Sequence, residues 1–302
     1  MNSQMTSISS GKIRPESMPV SVKAPARKDD LVWNKDRIGA VIRDLNHDDP
    51  NLQAARVLIA KTFAKEKMSK VCAADEAVLL DFLEGVLSPI LEDQLSVAAF
   101  AIENQEPVGF CIQLSLEPGA GKSDGPEPPK ELWPIFSFTE AMQQTFFDFL
   151  EHQSSFGAAI NATGMKPAGF EEASRLWSAY QEGTFVHALM AGRKQDSNWG
   201  GIAEHVVRAA FYRAYKAGKR FVVAEATSPQ STKIVLNLGG RIVLSAPYQK
   251  AMSPLNGIEI CEDRLPDVER DGEGNPLYSY CRSVLVDLEA LAEKEQWDRP
   301  EN

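Results

Sequence analysis

Residues 184–248 read TFVHALMAGRKQDSNWGGIAEHVVRAAFYRAYKAGKRFVVAEATSPQSTKIVLNLGGRIVLSAPY, a run in which the hydrophobic period switches repeatedly between strand and helix. Thr184–Gly192 is apolar and strand-like, and Arg193–Gly200 is a polar loop. From Gly201 to Ala217 the residues Ala203, Val206, Val207, Ala210, Phe211 and Ala214 recur at helical spacing. Gly218 follows as a C-terminal stop. Arg220–Thr227 is a second strand, Ser228-Pro229 open a short helix, and Arg241–Pro247 is a third strand. Gly200 and Gly201 sit where the first strand gives way to the long helix, and glycine there lets the backbone come close to a ligand. The helix start offers unpaired N–H groups and a partial positive charge, which together suit phosphate oxygens. A plain glycine-rich turn has the same composition, so both readings stand at this point.

Upstream, Ile38–Leu45 reads as a first strand, followed by the helix-start turn His47-Asp48-Asp49-Pro50. Helices are expected over Asn51–Phe63 and Asp75–Leu91. The second carries Leu79, Phe82, Leu83, Val86, Leu87 and Ile90 on one stripe. Leu95–Ile102 and Val108–Leu116 form a hairpin about a polar turn. Residues 117–183 then break the rhythm with a Gly/Pro-rich stretch, an aromatic helix over Ile135–His152, a loop and a helix over Glu171–Gln181. They read as an insertion between the third and fourth strands. Its aromatics (Trp133, Phe136, Phe138, Phe146, Phe147, Phe149, Phe156 and Trp177) suit either an acceptor pocket or the packing of an added subdomain. A polar loop precedes the last strand, Leu277–Val286, and the acidic tail is helical and then frayed. The expected class is α/β, a mixed sheet flanked by helices. Residues 1–30 read as a disordered arm, 31–290 as one domain carrying the insertion, and 291–302 as a tail.

Composition excludes several function classes. The chain has 302 residues, 25% of them charged, and a formal net charge of −10 without a basic block. Nucleic acid is therefore not an expected partner, whereas a cationic small molecule suits an acidic protein. No run approaches the roughly eighteen apolar residues of a spanning helix, so no membrane partner is expected. The N-terminus lacks an apolar signal-peptide run. Cys72, Cys111, Cys261 and Cys281 are scattered and read as reduced thiols, which points to the cytosol. The four histidines lack ligand spacing, so no metal is expected. Gly119-Ala120-Gly121-Lys122-Ser123 looks like the end of a nucleotide-binding loop, but Leu116 stands where that motif needs glycine.

Asn198-Trp199-Gly200-Gly201-Ile202-Ala203 resembles the coenzyme A-binding motif of the GNAT superfamily, a Gln/Arg-x-x-Gly-x-Gly/Ala loop between a strand and a helix. Asn198 stands in place of the usual Gln or Arg. Downstream, Phe221–Thr227, Ser228–Asn237, Leu238-Gly239-Gly240-Arg241 and Ser245-Ala246-Pro247-Tyr248 follow the order of the superfamily's remaining elements. The likeness covers about residues 36–116 and 184–286. It implies a mostly antiparallel GNAT-like sheet, acetyl-CoA or another acyl-CoA as co-substrate, and acyl transfer to a small-molecule amine within a ternary complex. The superfamily's loop binds pyrophosphate through the backbone amides of residues that match 198–203 here. By the same resemblance, backbone N–H groups near Leu189, Met190 and Ala191 would hold the tetrahedral oxyanion. Within the superfamily, Thr62-Phe63-Ala64-Lys65-Glu66-Lys67-Met68 is similar to a segment of the dopamine- and arylalkylamine-type N-acetyltransferases, with Lys67 in place of proline. That similarity nominates Glu66 as general base.

Acyl transfer to an amine needs a neutral nucleophile. An alkylamine with a pKa near 10.4 lies about three pH units above neutrality, so its deprotonation costs roughly 4 kcal/mol. Glu66, His187 and Glu225 are the candidate bases. The superfamily's usual acid is a helical Tyr whose place is taken by Val235, and Tyr248 is the remaining candidate. The alternatives to an enzyme are a non-catalytic acyl-CoA-binding module and a protein-interaction module on the same fold. The sequence carries no signal for the oligomeric state.

Overall fold

The computed structural model describes residues 31–35, 38–66, 68–69, 72–118, 127–161, 170–247 and 280–298. Strands β1 (Leu31–Lys35), β2 (Ile38–Asp44), β3 (Val97–Ala101), β4 (Pro107–Leu116) and β5 (Phe185–Arg193) form an antiparallel run. β6 (Phe221–Ala226) joins β5 in parallel, and β8 (Tyr280–Asp287) lies antiparallel between β6 and β7 (Arg241–Pro247). Among the described residues the sheet has eight strands in the order β1-β2-β3-β4-β5-β6-β8-β7. This is the mixed, mostly antiparallel α/β sheet expected from the sequence.

Strand alternation assigns the two faces. Val97 and Ala99 of β3, with Val222 and Ala224 of β6, join Val206, Val207, Ala210 and Phe211 of helix α5 (Ile202–Lys216) in one core. Ala98 and Phe100 point the other way. They pack with α1 (Leu52–Phe63) and α2 (Glu76–Leu91) in a second core. The α2 stripe read from the sequence buries Leu79, Leu83, Leu87 and Leu91, each contributing about 1.5–3 kcal/mol on burial. Asp75 starts that helix, its carboxylate accepting the Val78 N–H at 2.9 Å.

The insertion lies on the α1/α2 face. Helix α3 (Trp133–Asn161) and α4 (Phe170–Gln181) bury Phe146, Phe147, Leu150 and Leu176 against Phe185, Phe221 and Leu285 of the sheet. Phe147 stacks on Tyr180 with ring centroids 4.0 Å apart and meets Phe185 edge-on at 5.5 Å. Helix α6 (Pro229–Asn237) begins with a capping box between Ser228 and Ser231, and α7 (Leu288–Glu295) buries Leu288 and Leu291 in the α5 core.

Two elements differ from the sequence expectation. Leu31–Lys35 is a strand, β1, one element earlier than the expected start at Ile38. Its five residues follow a polar stretch and are too few to show a period by themselves. Helix α3 runs beyond His152 to Asn161, through Ser- and Gly-containing residues that have no apolar stripe of their own. The expected N-terminal arm, the segment around Lys122 and Cys261 lie outside the described residues.

Candidate active site

The centre of the sheet opens between β5 and β6. Their parallel pairing covers Phe185–Phe221, Val186–Val222 and His187–Val223, and ends there. On its other side β5 remains paired with β4 up to Arg193, but the register slips: Ile112 faces Met190 and Gln113 faces Ala188. Leu189 is the extra residue of a β-bulge, a device that bends a strand and re-aims its groups. Past His187, β5 therefore presents a backbone edge that no strand covers among the described residues.

His187 and Glu225 stand at the mouth of this opening. Val186 and Ala188 belong to the α5 side, so His187 points to the α1/α2 face; by the same alternation Glu225, between Ala224 and Ala226, points there too. His187 Nε2 is hydrogen-bonded to Glu225 Oε2. Their side chains are 13% and 3% exposed. The second carboxylate oxygen, Glu225 Oε1, is buried and has no hydrogen-bond partner among the described residues.

Both residues line a cavity of about 130 Å³. Ile59, Phe63, Phe82 and Phe136 wall it on one face of the sheet, and Val207, Phe211 and Val235 wall it on the other. The cavity thus passes through the gap between β5 and β6. Glu66, in the turn after α1, lines the same space, as do Leu189, Met190 and Ala191. Three of the four catalytic candidates are brought together by elements far apart in sequence. Tyr248 lies outside the described residues. Val235 lines the cavity and offers no proton.

The glycine loop forms the N-terminal start of α5, the helix whose Val207 and Phe211 line the cavity. Asn198 is exposed, while Trp199 is only 7% exposed and packs into the core with Ile202. The side chains of Trp199 and Ile202 are therefore part of the core. Gly201 holds φ at +92°, and a Cβ built on it would meet nothing within 4 Å. No side chain caps the start of α5 at Gly201, and the first N–H groups of a helix have no partner within it. Val207 and Phe211, farther along the helix, reach the cavity. At 1.5 Å per residue, Val207 lies about 7–8 Å along the axis from Ile202.

Several lining residues were not anticipated. Ser231 lines the cavity, but its hydroxyl already donates to the Ser228 carbonyl at 2.9 Å. Ser69 and Thr139 add hydroxyls. Cys111 also reaches the cavity, and burial pushes its thiol up to about 12. Phe136 lines the cavity, Phe146, Phe147 and Trp177 build the core beneath α3 and α4, and Trp133 and Phe149 are exposed. Among the described residues there is no group of three or more His, Cys, Asp or Glu able to hold a metal ion. Nor is any described helix long and apolar enough to cross a membrane.

No family model matches the chain, and no curated protein is similar to it in sequence. Solved structures are similar to it in shape. A putative arylalkylamine N-acetyltransferase of the yellow fever mosquito is 18% identical, covers 89% of this chain and 98% of its own, and has a TM-score of 0.52. The C-terminal condensation domain of Ebony, solved with β-alanyl-dopamine, is 12% identical over 83% of this chain and 99% of its own, with a TM-score of 0.53. A mosquito arylalkylamine N-acetyltransferase-like protein is 13% identical over 82% and 99%, with a TM-score of 0.50. The likeness is one of architecture: the chain has a GNAT-like fold.

Proposed function

We propose that the protein transfers an acyl group, acetyl in the simplest case, from acyl-coenzyme A to the amine of a small molecule. The observation that carries this reading is the His187–Glu225 pair set on a cavity that runs through the opening between β5 and β6. The donor enters from the α5/α6 side. Its pyrophosphate meets the backbone amides at the uncapped start of α5, and its extended arm lies along the uncovered edge of β5. The acceptor enters from the α1/α2/α3 side, where Phe63, Phe82 and Phe136 suit an apolar body carrying an amine. The solved structures of similar fold named above include two named for arylalkylamine acetylation and one holding β-alanyl-dopamine, which supports an amine acceptor.

In the reaction the amine nitrogen attacks the thioester carbonyl carbon. The C–N bond forms, the carbonyl oxygen takes the charge, and backbone N–H groups around the Leu189 bulge hold it. The His187–Glu225 pair removes a proton from the amine, and Glu66 faces the same space as the cation-attracting group. Collapse breaks the C–S bond. A thiolate with a pKa near 8.5 leaves readily and takes up the remaining ammonium proton, so no tyrosine is needed at Val235. Three buried free thiols, Cys72, Cys111 and Cys281, suit the cytosol as its setting.

Thermal melting with acetyl-coenzyme A and thiol release with a panel of amines test the reading. Saturation at about a hundred times Kd stabilises the fold by roughly 2.7 kcal/mol and raises Tm. Tight donor binding without thiol release for any amine sinks the enzyme and leaves a binding module.

A further inference from the structure

Glu225 and Ser283 face each other across the antiparallel β6–β8 pair. Facing residues point to the same side of a sheet, with Cβ atoms roughly 4.5–5.5 Å apart. Cys281 and Leu285, two positions to either side of Ser283, pack in the clusters beneath α3. Ser283 therefore shares the face that carries Glu225 and His187. It is 0% exposed, and its Oγ has no hydrogen-bond partner among the described residues. The same holds for Glu225 Oε1. On the far side of Ser283 the facing residue is Leu244 of β7, which is apolar. Two buried, orphaned oxygens thus sit opposite each other in one register pair. One is a donor with a freely rotating proton and the other is an acceptor. Leaving both unpaired is costly, and a small side-chain rotation or one buried water between them would satisfy both.

We propose that Ser283 is a positioning residue for the base. Its Oγ–H donates to Glu225 Oε1, directly or through one buried water, while Oε2 stays on His187 Nε2. The order along the face is then Ser283, Glu225, His187, contributed by β8, β6 and β5. A carboxylate held at both oxygens cannot swing away from the imidazole. The proton of the neutral ring is kept on Nε2, and Nδ1 is left as the basic nitrogen. Ser283 itself does not line the cavity, so it touches no substrate and acts only through Glu225. This inference rests on the proposed acyl transfer for its kinetic consequence, but its structural consequence can be read without turnover.

The experiment compares Ser283→Ala, Ser283→Thr and Ser283→Val in the full chain. Threonine and valine have nearly the same shape, and only threonine keeps the hydroxyl. In thiol-release kinetics, S283A and S283V are expected to lose about tenfold in kcat at unchanged KM for acetyl-coenzyme A, with S283T within about twofold of the parent. In 15N-labelled protein, the His187 ring signals, identified by their loss in His187→Gln, should show a fixed Nε2–H tautomer in the parent and in S283T. S283A and S283V should show a mixture of tautomers. Identical His187 ring signals in all folded variants overturn the proposal, as does a kcat loss in S283T equal to that in S283V. If the parent protein releases no thiol with any amine, the acyl-transfer reading fails, and the ring signals still decide the role of Ser283. Should S283V not fold, S283A against S283T carries the same comparison.

Discussion

Glu225 is a buried carboxylate on which the proposed reaction depends. Burying a carboxylate is costly unless it is paired, and Glu225 meets His187 with one oxygen while lining a largely apolar cavity. Glu225→Gln keeps the shape and removes the charge. It is expected to lower kcat about a hundredfold while leaving donor affinity unchanged, as steady-state kinetics against isothermal titration will show. Glu66→Gln should behave differently. Glu66 shares the cavity without belonging to the His187 pair, so the change is expected to raise KM for the amine several-fold with little effect on kcat. Equal losses of kcat in the two variants would assign the base to Glu66 instead. Cys111 gives a prediction of another kind. Burial holds its thiol neutral up to about 12, so it should resist alkylation at pH 8 in the native protein. Mass spectrometry should find it modified only after denaturation.

At the scale of elements, one turn and one bulge matter most. Gly201 starts α5 from a left-handed conformation with open space around it. An added methyl would therefore meet no atom, and the whole cost is backbone strain. Gly201→Ala is expected to destabilise the protein by about 1–2 kcal/mol and to weaken acetyl-coenzyme A binding, because the amides of residues 200–203 lose their common direction. Thermal melting and donor titration measure the two effects separately. An unchanged affinity would detach the loop from donor binding. The bulge at Leu189 has no sequence signature: Ala188-Leu189-Met190 reads as uninterrupted strand, and the slip exists only against β4. The long aromatic helix was legible from Ile135 to His152, where Phe146, Phe147 and Leu150 keep a stripe, and not in its last turns to Asn161.

At the scale of the whole molecule, the insertion serves two ends of one sheet face. Near its start, Ile135 and Phe136 wall the cavity; farther along, Phe147 covers Phe185 and its neighbours at the base of β5 and β6. Arg175 of α4 adds an ion pair to Asp287 at the end of β8, at 2.9 Å. Phe147→Ala should cost about 3–5 kcal/mol, since it empties a site packed by Tyr180 and Phe185. If α3 holds the acceptor wall in place, the same variant raises KM for the amine and hastens proteolytic cleavage within residues 117–183. A stable protein with unchanged proteolysis would show the insertion to be independent of that contact.

The sequence by itself determined the alternation of elements, the core stripes of α2 and α5, the glycine-rich helix start and the GNAT order of motifs. Each depends on residues within a few positions of one another, where period and capping chemistry act locally. It also named Glu66, His187 and Glu225, though as separate alternatives. Only the tertiary structure decided that they share one cavity and that His187 and Glu225 are bonded partners. It also turned Trp199 inward and brought Ser283 opposite Glu225. These relations join strands separated by tens of residues, and they follow from register and from the parting of β5 and β6. Pairing between distant strands sets both, and no local stretch of sequence encodes it.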